Sequence, residues 1–445
     1  MNTFFDSLPI YFLYRMIKSA FSILIYGLSI GLSRGAIFFS LPFLTSTLRL
    51  EEIGIVTIVQ ATVGLLIPFV TLSGSSAVMR ESVSDPAYGS DLVRGFLMLP
   101  IAFCAIVLVA QCVFDLGALR WVPYMLYIAA LNSIIELILT YLRAVSRDTL
   151  FLLVSIGRFG AQFSPAVLIS LTHGNIYTYL IAQIAAFIFV LVPVYGLFVL
   201  NTDGDFRHLY RKIRNVVPYT LPLIFQNTGH WIMQSSDRYI VSAMIGLEAA
   251  GIYGLAYLIA SPVSILVALL GMLVPRYFIS DYERWRTASS RLQAMIVIGV
   301  ASAASVAAAL ALLVLDHKSM HFLHYSALNL VSLTAIVGLA LAYNAFYIVY
   351  GNFFFFHRRT RLLASSTAAV SAINVVLTVV LVNFQGVLGA AIATMLSYLL
   401  YLGVVMWGAR QLEEAALQNL VPEIAVIAVT SIAIVPMAMI AQALW

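Results

Sequence analysis

Ser236 to Tyr257 reads Ser-Asp-Arg-Tyr-Ile-Val-Ser-Ala-Met-Ile-Gly-Leu-Glu-Ala-Ala-Gly-Ile-Tyr-Gly-Leu-Ala-Tyr. Two hydrophobic helices meet here across a turn of a few residues. The first carries an acid and a base, Asp237 and Arg238, inside apolar sequence. The second presents Gly251 and Tyr253 just after Glu248. A cousin of this stretch lies near the N-terminus, where Arg34 precedes Leu41-Pro42-Phe43 and then Leu50-Glu51-Glu52-Ile53-Gly54-Ile55-Val56-Thr57. Leu247–Tyr253 follows Leu50–Val56 by about 197 residues, and Pro262 follows Pro68, and Arg276 follows Arg80, at nearly the same spacing. Self-similarity at a fixed offset is the mark of a duplicated unit. The chain is therefore expected to consist of two related halves.

Composition sets the class. Of 445 residues, 62% are hydrophobic and only 10% are charged, against about 25% charged in soluble domains. Apolar runs of more than about 18 residues recur along the whole length, which describes an all-α polytopic membrane protein. Met16 to Leu44 is too long for a signal peptide, lacks a small-residue cleavage site and is expected to stay as the first span. Cys104 and Cys112 fall eight residues apart on one expected helix, roughly 12 Å, too far for a disulfide. Their spacing does not suit a metal either, and no metal or cofactor is expected. With no soluble basic domain, nucleic acid is excluded as a partner.

Thirteen spans are expected, at about 17–44, 53–79, 92–114, 121–143, 149–171, 175–200, 216–245, 248–275, 291–315, 324–350, 362–383, 386–408 and 422–444. Eighteen Lys and Arg fall on one side of these spans and only Arg49, Arg120 and Lys318 on the other. The positive-inside rule then puts the N-terminus and Arg358 in the cytoplasm, with Lys318 and Trp445 outside. Residues 1–200 form an N-terminal lobe of spans 1–6, 201–216 a cytoplasmic linker, and 217–410 a C-terminal lobe of spans 7–12. Residues 411–445 add one further span. Six spans per lobe is an even number, so the lobes form a parallel repeat about an axis along the membrane normal, with a substrate path between them.

In the linker, Phe206, Leu209, Tyr210 and Ile213 fall at helical spacing among Arg207, His208, Arg211, Lys212 and Arg214. That pattern suits an amphipathic helix on the cytoplasmic leaflet, or a plain basic loop. Prolines inside many spans serve as kinks or are ordinary residues of membrane helices. Gly386, Gly389, Ala390 and Ala391 allow close helix packing.

Five charges lie inside spans: Arg34, Glu136, Arg158, Asp237 and Arg238. Each arginine costs about 2.5–3.5 kcal/mol at the membrane centre, so the three should face a wet cavity or an acidic partner. Glu136 can pair with Arg158 on the next helix. Asp237 does not readily pair with Arg238, because adjacent helical residues point in different directions. At least one arginine is then left to bind an anion, and the guanidinium fork suits phosphate. The alternative is an internal ion-pair network that holds helices together. Glu136 and Asp237, taken as the only acids within spans, are candidates either for coupling to H⁺ or Na⁺ or for permanent ion pairs. His230, Trp231, Asn344 and Asn374 are expected to pack or to line the path. Phe353–Phe356 suggests an interfacial anchor. No phosphate-binding Gly-x-x-x-x-Gly-Lys loop is present, so ATP is not an expected partner.

These features resemble a known family. Twelve core spans in two halves, Glu-Glu-x-Gly-Ile after span 1, and Asp-Arg followed by Leu-Glu-Ala-Ala-Gly-Ile-Tyr-Gly-Leu-Ala-Tyr are similar to O-antigen and polysaccharide flippases. So is Asn374 with Phe384-Gln-Gly-Val-Leu-Gly-Ala-Ala-Ile-Ala-Thr, over spans 11 and 12. Those flippases belong to the multidrug/oligosaccharidyl-lipid/polysaccharide exporter superfamily, and the resemblance covers roughly residues 20–408. It implies a bacterial inner-membrane flippase for undecaprenyl-diphosphate-linked oligosaccharides, a transporter and not an enzyme. It also implies V-shaped lobes, alternating access and a cationic cavity, where Arg34, Arg158 and Arg238 would stand. A glycan polymerase and glycosyltransferases of the same pathway would be its partners. A thirteenth span departs from the twelve or fourteen usual in the family. A multidrug exporter of the same superfamily is the nearest alternative, though its cavity should be acidic. A membrane glycosyltransferase or polymerase is another, but would carry a sizeable outer loop.

Overall fold

The computed structural model describes residues 9–113, 120–199, 206–280, 282–317, 330–357, 359–413 and 419–444. Among the described residues the chain is helical, with no strand. The helices are α1 (Pro9–Thr47), α2 (Leu50–Val70), α3 (Gly74–Ser84), α4 (Pro86–Val113), α5 (Val122–Ala144), α6 (Asp148–Thr172) and α7 (Ile176–Val199) in the first half. The second half holds α8 (Phe206–Met244), α9 (Leu247–Ile259), α10 (Ser261–Ser280), α11 (Tyr282–Arg286), α12 (Ala288–Leu315), α13 (Leu330–Phe356), α14 (Thr360–Leu412) and α15 (Val421–Leu444).

Among the described residues ten helices are long and apolar enough to cross a membrane, or eleven if the pair α9–α10, bent by 56°, counts as one span. The remaining expected spans fall on the second arm of α14 and on α8. At Gly386 the backbone of α14 takes φ +61° and ψ −136°, a conformation only glycine adopts readily. Beyond it the second arm runs back along the first. Thr367 and the Tyr401 hydroxyl share a 2.7 Å hydrogen bond, and Asn374 Nδ2 donates to Ser397 Oγ at 3.0 Å. α8 is 39 residues long, about 58 Å. Its Gln, Asn, Ser, Asp and Arg residues lower its hydropathy below that of the other long helices.

The acids of the repeated stretches belong to helix starts. Glu51 and Glu52 lie in the first turn of α2 and Glu248 in the first turn of α9, where carboxylates suit the positive end of the helix dipole. Glu52 accepts hydrogen bonds from its own N-cap, Arg49 N (3.0 Å), and from Ile176 N (3.2 Å) at the start of α7. The two repeated stretches then pack against each other where α2 crosses α9.

α8 carries most of the remaining contact between the halves. From its start to its end, Lys212 Nζ meets Asp91 Oδ2 (2.6 Å) and Tyr219 lies under Arg80 (5.0 Å). Asn227 Nδ2 then donates to Ser73 Oγ (3.3 Å), Trp231 Nε1 donates to Ala61 O (2.6 Å), and Tyr239 bonds Thr62. α1 adds a second line of contact along α10. Residues 206–215 continue directly into the span, and Leu209 and Val216 are buried. Ile213 lies against Gly95 of α4. Leu209 and Ile213 of the apolar stripe thus face protein, while Tyr210 stays 58% exposed.

α15 packs against α12 and α13, as an appendage to the second half. Of the Phe353–Phe356 run, Phe353 and Phe354 are buried in the core. Phe356 stacks on Tyr282 at 3.6 Å, and Phe355 and Phe356 remain 49% and 40% exposed, so only the first half of the run is core. α13 is enclosed by α10, α12, α14 and α15, which explains the burial.

Candidate functional site

Three consecutive residues near the end of α8 point three ways, as residues about 100° apart on a helix must. Asp237 turns into the second half, and its side chain is 1% exposed. Its Oδ2 accepts hydrogen bonds from the hydroxyls of Tyr253 (2.6 Å), Tyr257 (3.1 Å) and Thr394 (3.1 Å). Its Oδ1 accepts from Arg238 N at 2.8 Å. Four donors suit an ionised carboxylate, which only accepts, and they fasten α8 to α9 and to the second arm of α14. Tyr239 turns the other way and bonds Thr62 of the first half.

Arg238 lies between them. Its guanidinium carbon is 4.5 Å above the centre of the Tyr257 ring. Among the described residues no carboxylate lies within ion-pair distance of it. Its Nε is buried with no hydrogen-bond partner. A cation held by an aromatic face keeps its full charge and its N–H edge.

Arg158 is held differently. Its Nη1 donates to Glu136 Oε2 at 2.9 Å, joining α6 to α5, as the spacing of the two spans suggests. Both side chains retain some exposure, 15% for Arg158 and 39% for Glu136. α1 runs beside α6 in the same direction, with Tyr26 against Phe151 (5.0 Å) and Phe39 against Phe159 (6.2 Å). Arg34 of α1 thus stands at nearly the level of Arg158, while its side chain lies outside the described residues. Asn374 bonds Ser397 and so holds the two arms of α14 together. Asn344 is buried and His230 is half-buried.

Two charged groups escaped the sequence. Glu423, in the first turn of α15, is a fully buried acid. It faces Arg291 of α12 at 3.4 Å, with side-chain exposures of 1% and 0%. Arg291 Nη1 also donates to the carbonyls of Trp285 (3.1 Å) and Arg286 (2.6 Å). In sequence both residues sit at span ends and read as loop charges. Nearby, Glu413 accepts a hydrogen bond from the Tyr282 hydroxyl, while Arg286 Nε (3.3 Å) and His357 Nε2 (3.0 Å) face it. Desolvation alone would raise the Glu413 pKa. Tyr282, Arg286 and His357 together outweigh it and hold the carboxyl below its ordinary value. The missed contacts of Trp231 and Tyr239 had one signal in the sequence, a span too polar for lipid.

The profile of the family described as "Polysaccharide biosynthesis protein" matches residues 19–279. No curated protein matches the sequence. Solved structures are similar over nearly the whole chain. "Lipid II flippase MurJ, inward closed conformation" aligns with TM-score 0.56 at 11% identity, covering 96% of this chain and 98% of its own. The MATE multidrug transporter DinF-BH gives 0.57 at 14%, covering 88% and 95%. An inward-facing MATE family transporter of the MOP superfamily gives 0.54 at 14%, covering 87% and 96%. At these identities the likeness is one of fold, the two-lobe arrangement described above.

Proposed function

From the premise that the chain belongs to the polysaccharide biosynthesis protein family, we propose that it is a flippase for undecaprenyl-diphosphate-linked oligosaccharide. Such a lipid carries a diphosphate that cannot cross hydrocarbon unaided, and the transporter must offer it positive charge along the way. The observation that supports this reading is Arg238, stacked on Tyr257 with no acid within ion-pair distance among the described residues. An arginine fork with free N–H groups is suited to a phosphate oxygen pair.

Arg158 is a second contact in this scheme. Its partial exposure beside Glu136 lets a diphosphate replace the carboxylate as the halves move. Arg34, at the same level on α1, is the third. Transport runs from the cytoplasmic to the periplasmic leaflet of the bacterial inner membrane by alternating access, with the N-terminus in the cytoplasm. Glycosyltransferases supply the lipid-linked sugar and a glycan polymerase consumes it. Asp237, or Glu136, couples the cycle to H⁺ or Na⁺. A cation arriving at Asp237 Oδ2 would compete with three hydroxyl donors there, loosening the tie among α8, α9 and α14.

A multidrug exporter is the competing reading, because the MATE transporters share the fold. A lipophilic cation needs an open acid, whereas Asp237 is enclosed by donors and Glu136 holds Arg158. Purified protein in proteoliposomes, given a fluorescent polyprenyl-diphosphate disaccharide and, separately, a cationic dye, tests the choice. Protein-dependent flipping of the glycolipid is expected. Dye transport without glycolipid flipping would overturn the proposal. Cysteines at Arg147 and His173, labelled with an impermeant reagent in spheroplasts, test the orientation. Only the His173 site should react.

A further inference from the structure

We propose that Tyr257 is the positioning residue for Arg238, holding its guanidinium by the ring face so that the N–H edge stays available to a diphosphate. The inference rests on the reading of Arg238 as a substrate contact and deepens it. Two arginines inside the spans are held in two different ways. Glu136 fixes Arg158 through a charge-neutralising ion pair at 2.9 Å. Arg238 is fixed by a ring at 4.5 Å, which orients the guanidinium plane without taking up its donors.

The ring is itself held. The Tyr257 hydroxyl donates to Asp237 Oδ2 at 3.1 Å, and Tyr253 stands edge-on to the ring with centroids 5.2 Å apart and planes at 76°. Tyr253 is anchored in turn by its own 2.6 Å bond to the same carboxylate oxygen. One helix turn of α9 thus supplies both tyrosines, at positions four apart, a spacing that places them on one face. The platform under Arg238 is rigid on two sides. The Nε of Arg238 is buried without a partner, as is that of Arg158, which leaves the two terminal nitrogens of the fork to meet a ligand.

The neighbouring residue gives the position its significance. Tyr239 bonds Thr62 of the first half, so Arg238 lies one residue from a contact between the halves. A side chain of this length with no carboxylate to hold it would sample many rotamers. The ring removes that freedom before substrate arrives, and preorganisation raises affinity by lowering the ordering cost.

The test uses the full chain in lipid nanodiscs, with farnesyl diphosphate as the probe. Wild-type protein should bind it, and Arg238→Ala should bind it weakly. Tyr257→Leu removes the ring and should lower affinity on the order of three- to thirtyfold, the range of a partly desolvated cation–π contact. Tyr257→Phe keeps the ring, loses only the hydroxyl and should recover most of that loss. A tyrosine that acts only through its hydroxyl bond to Asp237 would give no such rescue. Tyr257→Leu binding as wild type does, or Tyr257→Phe as impaired as Tyr257→Leu, overturns the proposal. Wild-type protein that does not bind the probe, or Arg238→Ala that binds it normally, rejects the diphosphate reading itself. A melting curve for each variant separates loss of binding from loss of fold.

Discussion

Gly54 and Gly251 face each other reciprocally where α2 crosses α9. A Cβ on Gly54 would lie 2.1 Å from the carbonyl oxygen of Leu247, and one on Gly251 would lie 2.1 Å from that of Leu50. Each glycine is the other's counterpart in the repeat, and each meets the leucine four residues before the other. The pseudo-two-fold axis of the chain passes between them. Backbone meets backbone here, so no side chain can rotate away to make room.

Alanine at either glycine has to push the helices apart. Gly54→Ala and Gly251→Ala are each expected to cost about 1–3 kcal/mol, the usual range for overpacking. Thermal unfolding in detergent reads this as a lowered midpoint. Alanine variants that melt with the wild type would show that the crossing is not held this close.

The three arginines should not behave alike in glycolipid flipping. Arg238→Ala is expected to lose transport while retaining fold, and Arg238→Lys to restore only part of it, since lysine keeps charge without the fork. Arg158→Ala should lose transport and also stability, because it leaves Glu136 without this ion pair. Arg34→Ala is expected to impair transport. Asp237→Asn or Glu136→Gln should lose the response to an imposed H⁺ or Na⁺ gradient. Gradient dependence unchanged in both amide variants would remove the two acids from coupling.

Arg291 and Glu423 are fully enclosed, so neither tolerates loss of the other. Arg291→Ala or Glu423→Ala should destabilise by about 3–5 kcal/mol, the cost of stranding a buried charge. Replacing both, as Arg291→Met with Glu423→Leu, should recover most of that. Thermal midpoints for the three variants decide it. Single variants as stable as wild type would mean that α15 docks without the pair.

Glu413 makes stability depend on acid. Its native carboxyl is held below the ordinary glutamate value of about 4.3. The stabilisation it contributes is therefore complete above that pH and is lost as the pH falls through the lower native value. The difference in melting midpoint between wild type and Glu413→Gln should shrink from about pH 5 down towards pH 3. A difference constant over that range would show that the carboxylate is not held by Tyr282, Arg286 and His357.

The duplicated architecture was legible because membrane helices and repeats both write themselves in order along the chain. Leu50–Val56 and Leu247–Tyr253 matched at a fixed offset, and the structure packs those same stretches together. The Glu136–Arg158 pair could be read as well, from two charges on successive spans. Arg291 and Glu423 could not. They are 132 positions apart at span ends, where charge is ordinary, and only the docking of α15 encloses them. The tyrosines beneath Arg238 and around Asp237 were in view, as part of the family pattern. Their role depends on which way each ring points from α9, which spacing alone does not decide.

α8 is continuous from Phe206, and it touches the first half at Lys212 near its start and at Tyr239 near its end. A beam pinned at two ends cannot translate. It can only bow. Pro218 and Pro222 lie between the two pins, where each proline removes a rung of the backbone ladder. Between the two ends Tyr219, Asn227 and Trp231 also meet the first half, so a swing that keeps every contact leaves curvature at those two residues as its outlet. A swing that breaks one pin turns α8 into a lever about the other.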